Sequence, residues 1–171
     1  MAQRCFHYET AFEHYLRANA IPYIAVDEAK RALHGRSPPI SLKSFDFVVY
    51  SESGPNLLID VKGRKHARAA GGRTFQNWVT QEDVDGLTRW RDVFGQGFDA
   101  AFVFLFWCDA QPPDALFHEI FEFAGRWYAV LAVRLDDYRQ HMRRRSAKWN
   151  TVHLPARAFD RLVVPLKQLL L

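Results

Sequence analysis

The sequence predicts an α/β fold, a central mixed β-sheet flanked by helices. Three observations predict it. Gln3 to Asn19 carries apolar residues at three- and four-residue spacing, which gives a helix one buried stripe. Phe45 to Tyr50 and Leu57 to Lys62 read as strands joined by the short, turn-rich Ser51-Glu52-Ser53-Gly54-Pro55-Asn56, so a hairpin is expected. Asp99 to Trp107 contains Ala-Ala-Phe-Val-Phe-Leu-Phe-Trp, a continuous apolar run that fits a strand buried on both faces. At 171 residues the chain is expected to form one domain, spanning 1–171, with a sizeable core.

The elements follow in order. In the first helix Cys5, Tyr8, Phe12, Tyr15 and Leu16 form the stripe. Glu9 projects only about 20° from Leu16 and so sits at the stripe's edge, while His7, His14 and Arg17 point outward. Pro22 ends the helix, Tyr23 to Val26 is a short strand, and Asp27 caps a brief helix through Leu33. His34 to Pro39 is a loop. After the hairpin comes a basic loop with Gly71-Gly72, and then Thr80 caps a helix from Gln81 to Phe94, with Asp83 at the reciprocal capping position. Beyond the Phe-rich strand, the loop Gln111-Pro112-Pro113-Asp114 leads to a second hairpin, Phe117 to Phe123 and Trp127 to Val133, turning at Ala124-Gly125-Arg126. A polar, basic helix is expected near Asp136 to Arg145. The tail from Val152 to Leu171 offers a short strand and a helical segment broken by Pro165.

Charge placement says more than the net +4 and the pI near 9.2. Lys62, Arg64, Lys65, Arg68 and Arg73 occur with no acid between them, and Arg139 to Lys148 repeats the pattern around Arg143-Arg144-Arg145. Two basic stretches on one domain suit phosphates, although solvated loops would also account for them. No apolar run approaches membrane-spanning length, the N-terminus lacks a signal-peptide core, and Cys5 and Cys108 lack zinc spacing. The expectation is a cytoplasmic protein with reduced cysteines and no membrane partner. His118 and Glu119 are expected on a strand surface, and Trp149 is expected to cover a core edge.

The chemistry sits in the first hairpin. Strand side chains alternate, so Leu58, Asp60 and Lys62 share one face. Burying an unpaired carboxylate costs several kcal/mol, so Asp46 and Asp60 need a cationic partner or a metal. Hard cations such as Mg²⁺ take oxygen ligands and keep waters, so Asp46, Asp60 and the Val61 carbonyl are a sufficient protein contribution. Lys62, about 6 to 7 Å along the same face, can orient an attacking water, and Glu9 can assist at the metal. An ordinary Asp60–Lys62 ion pair on a solvent-facing strand is the competing explanation.

Glu9 on a first helix, Asp46 on a strand and Asp60-Val61-Lys62 on the next resemble the PD-(D/E)XK nuclease superfamily. More narrowly, His7-Tyr8-Glu9-Thr10-Ala11-Phe12-Glu13 resembles the pattern naming the HYExAFE group of bacterial proteins. The broader likeness covers roughly Phe6 to Trp90 and departs from the superfamily's name at Phe45, where a proline would precede the aspartate. It implies a restriction-endonuclease-like core of four or five strands and hydrolysis of DNA phosphodiester bonds with Mg²⁺, for which Mn²⁺ can substitute. It carries the metal-ligand role to Asp46 and Asp60, the catalytic lysine to Lys62 and the helix acid to Glu9. Gln81 resembles a glutamine that some branches place near the site. Lys43, Arg64, Lys65, Arg68 and Arg73 would track phosphates, with Arg143, Arg144 and Arg145 as a second contact. Duplex, branched and single-stranded DNA all stay open, and so does a homodimer. The alternatives are a non-catalytic nucleic-acid-binding module on this fold and a protein-interaction domain whose basic runs only solvate it.

Overall fold

The computed structural model of the chain describes residues 3–26, 43–66, 75–108 and 119–171, without the side chains of residues 3–6. The helix and loop expected between Asp27 and Pro39, the loop at Gln111 to Asp114, Phe117, His118, Arg68 and Arg73 lie outside the described residues.

The alternation that marked the hairpin builds the centre of the molecule. Strands β1 (Tyr23–Ala25), β2 (Phe47–Val49) and β3 (Asn56–His66) pair antiparallel, with Phe47 opposite Ile59 and Val49 opposite Leu57. β3 then pairs in parallel with the Phe-rich β5 (Phe98–Cys108), and β5 pairs antiparallel with β7 (Arg126–Arg134), which closes a hairpin with β6 (Ile120–Phe123). The order is β1-β2-β3-β5-β7-β6, six strands where the resemblance implied four or five. A parallel pair needs a crossover, and the connection from β3 to β5 passes through β4 (Val79–Thr80) and helix α2 (Gln81–Phe94). The expected capping box forms: Thr80 Oγ1 accepts from the Asp83 N–H, and Asp83 Oδ2 accepts from the Thr80 N–H.

Each sheet face has its own core. Helix α1 (Gln3–Ala18) lays Ala11, Phe12, Tyr15 and Leu16 over Leu57, Ile59, Val103 and Val130. The opposite face, with Leu58, Phe102, Phe104 and Phe106, is covered by Val84 and Leu87 of α2 and by Leu135 and Tyr138 of α3 (Leu135–His141). The tail supplies α4 (Ala156–Leu162) to this second core and α5 (Leu166–Leu169) to the first.

Four sequence expectations are corrected. The polar helix stops at His141, and Arg143–Ser146 is a strand, β8, paired with β9 (Thr151–His153) in a second sheet of order β4-β9-β8. Its partner β9 follows directly after a turn, and β4 joins on the other side of β9 from earlier in the chain, so the periodicity of Arg143–Ser146 alone could not show the pairing. His7 does not face outward: it stacks on Tyr8 and hydrogen-bonds Tyr128 at 2.8 Å. Glu119 is buried rather than on a strand surface, accepting from the Tyr15 hydroxyl at 2.7 Å and the Leu166 N–H at 2.7 Å. Trp149 covers no core edge, being 69% exposed at the β8–β9 turn. Among the described residues, no helix is long and apolar enough to cross a membrane.

Candidate active site

Asp60 sits in the middle of β3 on the face that α2 covers, only 5% exposed. The solvent-facing ion pair is therefore excluded as its explanation. Lys62, two positions on, reaches Asp60 Oδ1 at 2.9 Å and also Asp83 Oδ1 at 3.1 Å. Asp83 belongs to the first turn of α2, where the helix dipole favours an anion. One of its oxygens caps the helix while the other takes Lys62 and, at 2.5 Å, Lys43. Asp83 was legible as a cap but not as part of this cluster. The usable signal was the conjunction of a first-turn acid with a helix that must cover the Asp60 face.

Asp46 joins through a slip in the alternation of its strand. Phe45 packs into one core and Phe47 into the other, although strand residues two apart share a face. The slip leaves Asp46 at the bend before β2, its Oδ2 accepting from the Val61 N–H at 2.6 Å. The Asp46 N–H donates to the Ile59 carbonyl at 2.9 Å, so Asp46 lies along the β2 edge of β3, and each strand residue turns its N–H and C=O to one side. The Val61 carbonyl therefore points to the same edge of β3 as Asp46.

Electrostatics separate Asp60 from Asp83. Burial pushes the Asp60 carboxyl up to about 7, with Lys62 pulling it down and Asp46 and Asp83 pushing it further up. Burial also opposes charge on Asp83, but Lys62, Lys43 and the Thr80 N–H outweigh it and hold that carboxyl at about 2. For Lys62 burial is outweighed by Asp60 and Asp83, so its ammonium is held above the usual lysine range. Asp60 and Lys62 thus differ in how well their charge is answered. Lys62 has two carboxylates, Asp83 has two ammonium groups, and Asp60 has half of one lysine and two acidic neighbours. Asp60 is the place where added positive charge would be most welcome.

The helix acid stands on the other side of the sheet plane. Tyr8 lies flush on Gly63, where a Cβ would land inside the Tyr8 ring, so this position of β3 requires glycine. That contact fixes the start of α1 beside Lys62, and Glu9, the next residue, is half-buried. Among the described residues, no three His, Cys, Asp or Glu side chains converge as a metal-binding group. Gln81 donates its side-chain amide to Asp85 at 3.0 Å, and its N–H to the Asn150 carbonyl. Of the basic residues, Arg64 is inward, donating to the Trp78 carbonyl and lying 4.2 Å from the centre of its indole. Lys65 is exposed over Trp107, and Arg143, Arg144 and Arg145 are exposed on β8.

A mixed sheet with helices on both faces and a crossover helix between its parallel strands is a restriction-endonuclease-like fold. The chain is similar to the 1.6 Å structure of Hjc, a Holliday junction resolvase from the archaeal hyperthermophile Archaeoglobus fulgidus. The TM-score is 0.54 at 12% identity, over 95% of this chain and 97% of that one, so the likeness is one of fold. No protein-family model and no curated protein matches the chain.

Proposed function

We propose that the protein is a metal-dependent nuclease that hydrolyses DNA phosphodiester bonds, with Asp46, Asp60, Lys62 and Glu9 as its catalytic residues. The observation that carries the reading is Asp60, a carboxylate buried between two other acids and answered by only a share of Lys62. Such a group fits a hard divalent cation. Asp46, Asp60 and the Val61 carbonyl would hold Mg²⁺, or Mn²⁺ in its place, with Glu9 assisting from α1; few protein oxygens suffice because this ion keeps its waters. When bound, it would supply Lewis-acid polarisation of the phosphoryl oxygen and a more acidic water.

The chain's own groups do the rest. Lys62 stays an ammonium because Asp60 and Asp83 hold it charged, so it orients the attacking water and offsets charge on the phosphorane rather than removing a proton. Asp83 positions Lys62, and Lys43 neutralises Asp83 so that Lys62 is not drawn wholly away from Asp60. Lys43, Lys65, Arg68, Arg73, Arg143, Arg144 and Arg145 would follow phosphates, while Arg64, committed to Trp78, adds to the positive field. The fold shared with a Holliday junction resolvase supports DNA as the substrate, and the His7 to Glu13 pattern supports membership of the HYExAFE group.

The test is divalent-ion-dependent cleavage of branched, single-stranded and duplex DNA by wild type and Lys62→Ala. Cleavage by wild type alone is expected. Equal activity in both proteins ends the assignment of Lys62. No cleavage by either, with DNA binding that weakens as salt rises, would make the protein a non-catalytic nucleic-acid-binding module on the same fold.

A further inference from the structure

The second sheet builds a cavity that the catalytic reading leaves unused. It holds about 530 Å³ between the segment before β4, the β8–β9 hairpin and α4, within the range of about 300–1,000 Å³ typical of small-ligand sites. Phe75, Trp78 and Phe159 give it aromatic surface, and Arg145, His153 and Asp160 give it polar groups. Flat rings in such a setting stack on flat rings, and an arginine beside them answers a phosphate.

Its position relative to Asp60 is set by one residue. Arg64 lies four positions beyond Asp60 on the same face of β3, donates to the Trp78 carbonyl and stacks on the Trp78 indole. Arg145 approaches that indole as well, at 5.2 Å from its centre. At about 3.3 Å per residue Arg64 is about 13 Å along β3 from Asp60, and the cavity lies past it, beside Trp78, on the Asp60 side of the sheet. Exposed Arg143 stands two positions before Arg145 on β8, outside the cavity lining, and adds positive charge to the same hairpin.

We propose that this cavity takes one unpaired nucleotide of the DNA strand bound at the Asp60 site. The base lies against Phe75 and Trp78, its phosphate meets Arg145 and His153, and Asp160 accepts from an amino group of the base. A base inside a continuous duplex is paired and stacked and must be extruded before it can enter such a pocket. The inference rests on DNA being the substrate, and it narrows that substrate to DNA with an unpaired strand near the cleavage point.

Binding in EDTA by the Lys62→Ala protein separates this proposal from cleavage. Fluorescence anisotropy would compare a blunt duplex with the same duplex carrying a single-stranded flap. The flap substrate is expected to bind about tenfold tighter, the worth of one stacked base. Adding Arg145→Ala should bring that ratio near one. Adding Arg143→Ala, which removes the same charge outside the cavity lining, should weaken both DNAs together and keep the ratio. Equal binding of the two DNAs, or a flap preference that survives Arg145→Ala, overturns the proposal while leaving the nuclease reading standing. Absence of binding to either DNA at low salt overturns both. A flap preference lost with Arg145, in a wild type that cleaves nothing, would uphold the pocket and remove the catalytic reading.

Discussion

The two faces of β3 share one backbone and differ in almost everything else. Toward α1 the strand presents Leu57, Ile59, Val61 and Gly63, packed against Phe12, Leu16 and the Tyr8 ring. Toward α2 it presents Asp60, Lys62 and Arg64, a polar cluster set among Phe102, Phe104 and Leu87. The first face gains by excluding water from hydrocarbon, whereas the second has desolvated charges whose mutual attraction only partly offsets their lost hydration. The strand can hold a desolvated polar cluster because its other side is packed with apolar side chains. Stability and chemistry should therefore respond in opposite ways to substitutions on the two faces.

The largest effect should come from the dry face. Phe12 is fully buried, with its ring edge-on to Phe47 at 5.3 Å between centroids. Phe12→Ala is expected to lower unfolding free energy by about 3–5 kcal/mol, as emptied aromatic core sites do. Chemical denaturation measures it, and the folded fraction should retain its cleavage rate. A loss below about 1 kcal/mol would mean that α1 is not anchored here.

Lys62→Ala should reverse the pattern. Removing a preorganised cation from a developing negative charge costs about 10²–10³ in rate, to be read as the drop in kcat for Mg²⁺-dependent cleavage. The stability loss should stay below that of Phe12→Ala, because Asp83 keeps Lys43 and Asp60 can take a proton. A variant that unfolds as readily as Phe12→Ala, yet cleaves normally when folded, would recast Lys62 as a structural ion-pair residue.

Gly63→Ala probes the seam between the faces. The added methyl must displace the Tyr8 ring, and overpacking of this kind costs about 1–3 kcal/mol. Because Tyr8 adjoins Glu9 and Gly63 adjoins Lys62, activity should fall together with thermal stability. An unchanged Tm would show that Tyr8 is not seated on the strand.

How much of this was legible in the sequence differs between the faces in the same way. The apolar stripe of α1, the hairpin and the Phe-rich strand follow from local spacing; α1 and the Phe-rich strand formed within one residue of their expected bounds, whereas β3 runs past Lys62 to His66 and takes up the start of the expected basic loop. The pairing of Asp46 with the Val61 N–H depends on a slip at the bend before β2, which alternation in Ser44 to Tyr50 does not announce. Asp83 was visible only as a helix cap, because its approach to Lys62 depends on where α2 lands on the sheet. Arg143 to Arg145 resembled a helix because a strand of arginines owes its conformation to β9, not to its own pattern. Local periodicity reveals what an element buries; contacts that hold a polar cluster are made between elements.

The smallest effect is the most discriminating, because its sign changes with pH. The Asp60 carboxyl is held at about 7 in the folded chain against 3.8 in its ordinary state. Below about pH 4 it is protonated whether folded or not, and its contribution to stability is fully present. As pH rises the unfolded chain ionises first, so that contribution is lost progressively until pH passes about 7. Asp83, held at about 2, acts in a separate window: its contribution is present above 3.8 and is lost as pH falls toward 2. Asp60→Asn should therefore remove the decline between pH 4 and 7 and leave the acid limb intact. Its net gain at pH 8 should be modest, on the order of 1 kcal/mol, because relief from a buried charge is set against the lost pair with Lys62. Mg²⁺ should raise the Tm of wild type at pH 8 by binding the folded state and should raise that of Asp60→Asn much less. A variant less stable than wild type at pH 8, with the same response to Mg²⁺, would place Asp60 among ordinary stabilising ion pairs and make the two faces of β3 alike in purpose.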